Sequence, residues 1–204
     1  RSRAAQVDVP ATLPSTVYED YETALAESGA DLVYVSMVNS LHVRWAEAAL
    51  RRGMHVVIDK PATMSLADTE RLIHLAQQQG VCLAEATVYG YHPQIQAIRD
   101  VFSEAGSAPT RITAAFCIPP LPADDFRYQA DLGGGALWDM SIRPISAGRL
   151  FFGAEPERVE CVMLERERGV DVAFSVLLTY GRGRALVGHF GFTTGYRNHV
   201  TLLG

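Results

Sequence analysis

The sequence predicts an α/β protein: a partial Rossmann-type parallel sheet followed by an α+β domain with a largely antiparallel open sheet. Two observations predict it. Up to residue 106, helical spacing of apolar residues alternates with short apolar runs, the pattern of parallel strands joined by right-handed helical crossovers. From about residue 107 the period changes, and strand-like runs follow one another across short turns. The 204 residues therefore divide into two units, 1–106 and 107–204.

In the first unit "YEDYETALAESGA" (18–30) has apolar residues at helical spacing and ends in Gly29. "DLVYVSMV" (31–38) suits a buried strand. "LHVRWAEAALRRG" (41–53) is a helix stopped by Gly53, and "MHVVID" (54–59) the next buried strand. "SLADTERLIHLAQQQG" (65–80) is a helix with Ser65 as N-cap and Asp68 at the capping-box position. "VCLAEATV" (81–88) is a third strand, and "HPQIQAIRDVFSEAG" (92–106) a helix with Pro93 near its start. In the second unit, strands are expected at 110–118, 158–167, 169–180, 184–192 and 199–204, with a hairpin turn at "YGRGR" (180–184). One helix, 136–153, follows the triple glycine 133–135. The connection 119–135 is long, and long loops are often functional.

Bulk properties narrow the function. A net charge of −5 leaves no basic footprint for nucleic acid. No apolar run approaches the length of a membrane span, and the N-terminus does not read as a signal peptide. Cys82, Cys117 and Cys161 form neither a disulfide framework nor a zinc pattern, so reduced thiols in a cytoplasmic protein are expected. The histidines share no metal spacing, and no metal site is expected.

The chemistry is expected where parallel strands end, because ligands of such sheets bind beyond the strands' carboxyl ends. Asp59 and Lys60 end one strand, and Pro61 keeps Lys60 out of the helical region. Asn39 and His42 follow the neighbouring strand, and Tyr89 to His92 follow the next.

At this point the residues resemble a family. "DKP" (59–61) is similar to the Glu-Lys-Pro motif of the Gfo/Idh/MocA family of NAD(P)-dependent oxidoreductases. "YVSMVNSLH" resembles its strand ending in Thr-Pro-Asn with a following His, and "EATVYGYHPQ" its Glu-Ala-x-x-Tyr-Arg-x-His-Pro-Gln. "GGGALWDMSIRP" resembles its glycine-rich stretch ending in Asp-x-Gly-x and His or Tyr. The four occur in the family's order. The resemblance implies an incomplete dinucleotide-binding domain over 1–106 and an incomplete substrate and oligomerisation domain over 107–204. It implies NAD or NADP as cofactor and a sugar, inositol or nucleotide-linked sugar as substrate. Lys60 would manage the hydroxyl proton, with Asp139 and Arg143 as further catalytic candidates. Asn39, His42, Asp59 and Lys60 would line the cofactor, with Asp59 also fixing the lysine. Tyr89, His92, Arg127 and Tyr128 would contact substrate.

The sequence departs from the pattern in places. Arg143 stands where the family has His or Tyr, and an arginine cannot act as a base; it is expected to hold a phosphate or carboxylate or to polarise a carbonyl. Met37-Val38, Gly90 and Ser141 replace Thr-Pro, Arg and Gly. Pro144 resembles a subgroup that reduces keto groups on nucleotide-linked deoxysugars. No G-x-G-x-x-G follows a first strand, so the chain is expected to lack the first βαβ unit and the last strands, and not to bind a dinucleotide tightly alone. "RSR" (1–3) is weighed as a remnant of the segment that reads the adenosine ribose, or as a helix start.

Plainer readings stand beside these. Asp139 and Arg143, spaced i,i+4, suit an ordinary ion pair; His92 suits a helix cap; Arg127 and Tyr128 suit an ordinary loop. A non-catalytic relative that binds a sugar phosphate or a protein partner is the alternative function. A homo-oligomer through the C-terminal sheet is expected from the apolar strands between 169 and 192.

Overall fold

Parallel pairing dominates the first half and antiparallel pairing the second. The computed structural model describes residues 14–204; the "RSR" reading lies outside them. Strands β1 (Leu32–Val35), β2 (His55–Ile58) and β3 (Leu83–Glu85) form a parallel sheet in that order. Helices α1 (Tyr21–Glu27), α2 (Asn39–Leu50), α3 (Leu66–Gln79) and α4 (Pro93–Glu104) accompany it. β4 (Arg111–Cys117), β5 (Arg158–Glu167), β6 (Val170–Tyr180), β7 (Arg184–Gly191) and β8 (Arg197–Leu203) form a second sheet, ordered β5-β6-β7-β4-β8. Only β4 and β7 run parallel there.

The first core is built from the helical stripe Ala46, Ala49 and Leu50 of α2 and Leu72, Leu75 and Ala76 of α3, packed on Val35, Val56 and Ile58. Ser65 caps α3, its hydroxyl accepting from the Asp68 N–H at 3.1 Å, and Gly80 closes it at φ 66°. The second core lies between the inner face of the five-stranded sheet (Val172, Phe174, Leu178, Leu186, Phe190) and two helices, α5 (Ala136–Met140) and α6 (Ile142–Phe152). α6 sits close to β6: a Cβ on Gly148 would lie 1.9 Å from the Tyr180 hydroxyl oxygen.

Several expected elements change. β1 is shorter than 31–38 and mostly exposed, because it is an edge of the three-stranded sheet; only Val35 is buried. α2 starts two residues earlier than the expected 41, so Asn39 joins His42 in its first turn. β3 spans three residues, since the Glu85 side chain turns to accept from the Ala62 N–H and the Thr87 hydroxyl. The helix 136–153 is two helices meeting at Ser141, where Pro144 lacks the N–H that would continue the ladder from α5. The long connection carries two short 3-10 turns, Phe126–Tyr128 and Ala130–Leu132. Among the described residues no helix is long and apolar enough to cross a membrane.

Candidate active site

Lys60 follows the end of β2, and its ammonium reaches across to α5. It donates to the backbone oxygen of Asp139 at 2.9 Å and to Asp139 Oδ1 at 2.5 Å. The second carboxylate oxygen, Oδ2, accepts from Arg127 Nε at 3.1 Å, and Arg127 is also bound to Asp125. Asp139 is one-tenth exposed, and Lys60 and Arg127 about a quarter, so the attraction is little screened by solvent. Burial alone would push the Asp139 carboxyl up; Lys60 and then Arg127 outweigh it and hold the group below the usual carboxylate range. Burial also opposes the charge of Arg127, and Asp139 and Asp125 overcome that opposition. Asp139 is therefore an anion at neutral pH and a fixed anchor for the lysine.

The glycines place that anchor. Gly133 adopts φ 78°, and a Cβ there would meet Asn39 and Met64 within 2.7 Å. Gly135, at φ 114°, passes equally close to the Asp171 carboxylate. Asp171 accepts from the Leu137 N–H at 2.6 Å, so a β6 side chain caps α5. Spacing could not reveal this cap, because its two partners lie 34 residues apart.

Asn39 and His42 turn out to brace the scaffold. Asn39 is buried and donates to the Gly133 oxygen at 2.8 Å. The fully buried His42 ring lies between the oxygens of Pro61 (2.9 Å) and Met37 (3.0 Å), joining the ends of β1 and β2. A neutral imidazole donates to one of the two. Asp59 does not touch Lys60: its carboxylate accepts from Tyr34 and Ser36 at the exposed end of β1. The expectation that Asp59 fixes the lysine is thus corrected, since Asp139 does so. Asp139 and Arg143 form no ion pair either; the carboxylate faces Lys60 and Arg127, and Arg143 Nη1 donates to the Asp139 backbone oxygen at 3.0 Å.

Lys60, Tyr89, His92 and Arg143 line one cavity of about 590 Å³, walled by the segment from β3 to α4, by α6 and by β4 and β8. Arg143 Cζ lies 3.5 Å over the Phe116 ring. His92 both lines the cavity and caps α4, accepting from the Gln94 N–H. Burial pushes the Tyr89 phenol up against the opposing pull of Ser146 and Arg143, so it stays protonated. Its hydroxyl is taken by Ser146 at 2.5 Å, a residue that sequence reading missed. Tyr128 is buried in the second core, edge-on to Phe192, and does not line the cavity. No cluster of three or more His, Cys, Asp or Glu suited to a metal occurs among the described residues.

Residues 1–87 match the family model described as an oxidoreductase family with an NAD-binding Rossmann fold, and residues 103–204 match the GFO/IDH/MocA C-terminal domain. The chain belongs to the Gfo/Idh/MocA family. A dTDP-3,4-didehydro-2,6-dideoxy-alpha-D-glucose 3-reductase of Actinomadura kijaniata is 39% identical over 188 residues, 91% of this chain and 57% of the reductase. An NADP(+)-dependent D-xylose 1-dehydrogenase of Haloferax volcanii is 36% identical, covering 89% of this chain and 56% of that enzyme. The crystal structure of a 3-ketoreductase from Actinomadura kijaniata with NADP and TDP-benzene superposes with a TM-score of 0.83 at 38% identity, over 92% of this chain and 58% of that one. The chain thus spans a little over half the length of the curated relatives it matches.

Asp139→Asn leaves Lys60 and Arg127 facing a neutral amide, and is expected to lower stability by roughly 2–4 kcal/mol at neutral pH. Because folding lowers the Asp139 pKa, its contribution is complete above the ordinary carboxylate range near ~4 and is lost as pH falls through the folded value. Urea denaturation of wild type and variant should show a gap that narrows in acid. A gap independent of pH would contradict the ionised anchor.

Proposed function

We propose that this chain is part of an oxidoreductase that transfers a hydride between NAD or NADP and a carbon of a sugar, an inositol or a nucleotide-linked sugar. The observation that carries this reading is the state of Lys60 Nζ. An ammonium has three N–H groups. Asp139 takes two of them, and the third remains at the wall of the cavity.

The half-buried Asp59 carboxylate, set beside the hydroxyls of Tyr34 and Ser36 at the strand ends, fits the ribose hydroxyls of a nicotinamide nucleotide. Such a cofactor, when bound, supplies or accepts the hydride. Lys60 then handles the remaining proton. In reduction the ammonium donates to the carbonyl oxygen that becomes the hydroxyl and is reprotonated from solvent; in oxidation Lys60 first gives a proton to solvent, and the neutral amine then takes the hydroxyl proton. Asp139, held ionised, orients the ammonium and exchanges no proton. The NADP named for the two relatives above supports NADP for this chain. The free exposed thiols Cys82 and Cys161 support a reducing, cytoplasmic setting.

The outer face of the second sheet supports a homo-oligomer. Leu177 and Val187 are register partners there, with Val162 nearby on β5, and all three are exposed. Their neighbours Leu178 and Leu186 face the core. A second copy covering this face would remove the exposed apolar strip from water. Sedimentation should find a dimer or larger species that Leu177→Lys shifts toward monomer; a wild-type monomer at all concentrations would refute the interface.

The activity test follows reduced-nicotinamide absorbance in the full polypeptide that carries this chain, with NADH and NADPH separately against keto-sugar substrates. Lys60→Ala should retain cofactor binding but lose about 10²- to 10⁴-fold in turnover. A folded wild-type protein that binds neither cofactor would instead favour the non-catalytic relative.

A further inference from the structure

The charges of the hydrogen-bonded cluster around Asp139 do not balance. Lys60, Arg127 and Arg143 contribute three cations, while Asp125 and Asp139 contribute two carboxylates. Both oxygens of the Asp139 carboxylate are occupied, one by Lys60 and one by Arg127. Arg143 has no carboxylate within 4.0 Å among the described residues, and its one hydrogen bond there is to a backbone oxygen. One face of its guanidinium is covered by Phe116. Burial lowers its pKa and the Asp139 carboxylate offsets this only in part, so the desolvation of the guanidinium is incompletely compensated within the protein.

The cavity beside it has the same bias. Its ionisable lining comprises Lys60, Arg143, Tyr89, His92 and His199, and it contains no Asp or Glu. Asn198 and Gln94 add neutral polar groups. A guanidinium with unmatched N–H groups on such a wall is suited to a planar or tetrahedral oxyanion, which can take two parallel hydrogen bonds. Lys60 Nζ and Arg143 Nη1 donate to the same oxygen, that of Asp139, at 2.9 and 3.0 Å. Their heads are therefore only a few ångström apart and can meet neighbouring parts of one small ligand.

We propose that Arg143 is the specificity-determining residue of the cavity and takes an oxyanion of the substrate, carboxylate or phosphate, a few bonds from the carbon whose oxygen meets Lys60. The inference rests on the oxidoreductase reading for the role of Lys60, but anion binding itself does not. Arginine here selects the substrate by charge and leaves proton transfer to Lys60 alone.

The test is calorimetric binding to the full polypeptide that carries this chain, without nicotinamide. The probes are D-glucuronate, D-glucose 1-phosphate and neutral D-glucose. At least one anion should bind more tightly than glucose, and which one does identifies the oxyanion as carboxylate or phosphate. Arg143→Gln should weaken that anion about tenfold or more, since hydrogen bonds to charged groups carry energies of this order. Arg143→Lys should recover part of the loss, and glucose should be indifferent to both changes. Circular dichroism confirms that each variant is folded. Anion affinity unchanged in folded Arg143→Gln would overturn the proposal, as would glucose binding as well as both anions, or no anion binding at all. If anions bind through Arg143 while no hydride is transferred, the proposal holds and the oxidoreductase reading falls; hydride transfer without Arg143-dependent binding gives the reverse.

Discussion

The Lys60–Asp139 ion pair is the constraint around which the site is arranged. It links the end of a parallel strand to a helix packed on the second sheet, 79 residues away in sequence. Two opposed terms decide whether such a pair forms. Desolvating an ammonium and a carboxylate disfavours it, and at low exposure that penalty is several kcal/mol per ion. Here the attraction is supplemented: the lysine also binds a backbone oxygen, and the carboxylate also binds Arg127. With both carboxylate oxygens satisfied, Asp139 stays charged and Lys60 is held at the cavity wall.

Much of the surrounding structure maintains that geometry. His42 joins the ends of β1 and β2 at Pro61, the residue after Lys60. Asn39 grips Gly133, and Asp171 caps α5, so both ends of the glycine turn are fixed before Asp139 is reached. These are polar side chains in poorly accessible places, and each has a partner. They position Lys60 and Asp139 through the backbone.

The alternation of helix and strand, the caps at Ser65 and His92, and the change of period near residue 107 were legible in the sequence, because each depends on neighbours within a few residues. The placement of Lys60 just past a strand end, before Pro61, was legible too. Its partner was not. Asp139 has Arg143 at i+4, the local arrangement that suggests a helix-surface pair, yet the break at Ser141 and the burial of α5 turn its carboxylate toward Lys60 and Arg127. Likewise Asn39 and His42 lie beside a strand end, where cofactor contacts are expected, but their side chains point into protein and are consumed there. Tyr128, in a long loop, gave no sign that it would pack against Phe192. Long-range pairing decided every one of these positions.

The most direct test of this account is a double-mutant cycle on stability with Lys60→Met, Asp139→Asn and the combined variant, measured by urea denaturation at neutral pH. A pair that anchors the site should show a coupling of about 1–3 kcal/mol, so that the second substitution costs much less once the first is present. Single-variant effects that add to within about 0.5 kcal/mol would mean that the two side chains do not depend on each other, and would contradict the account.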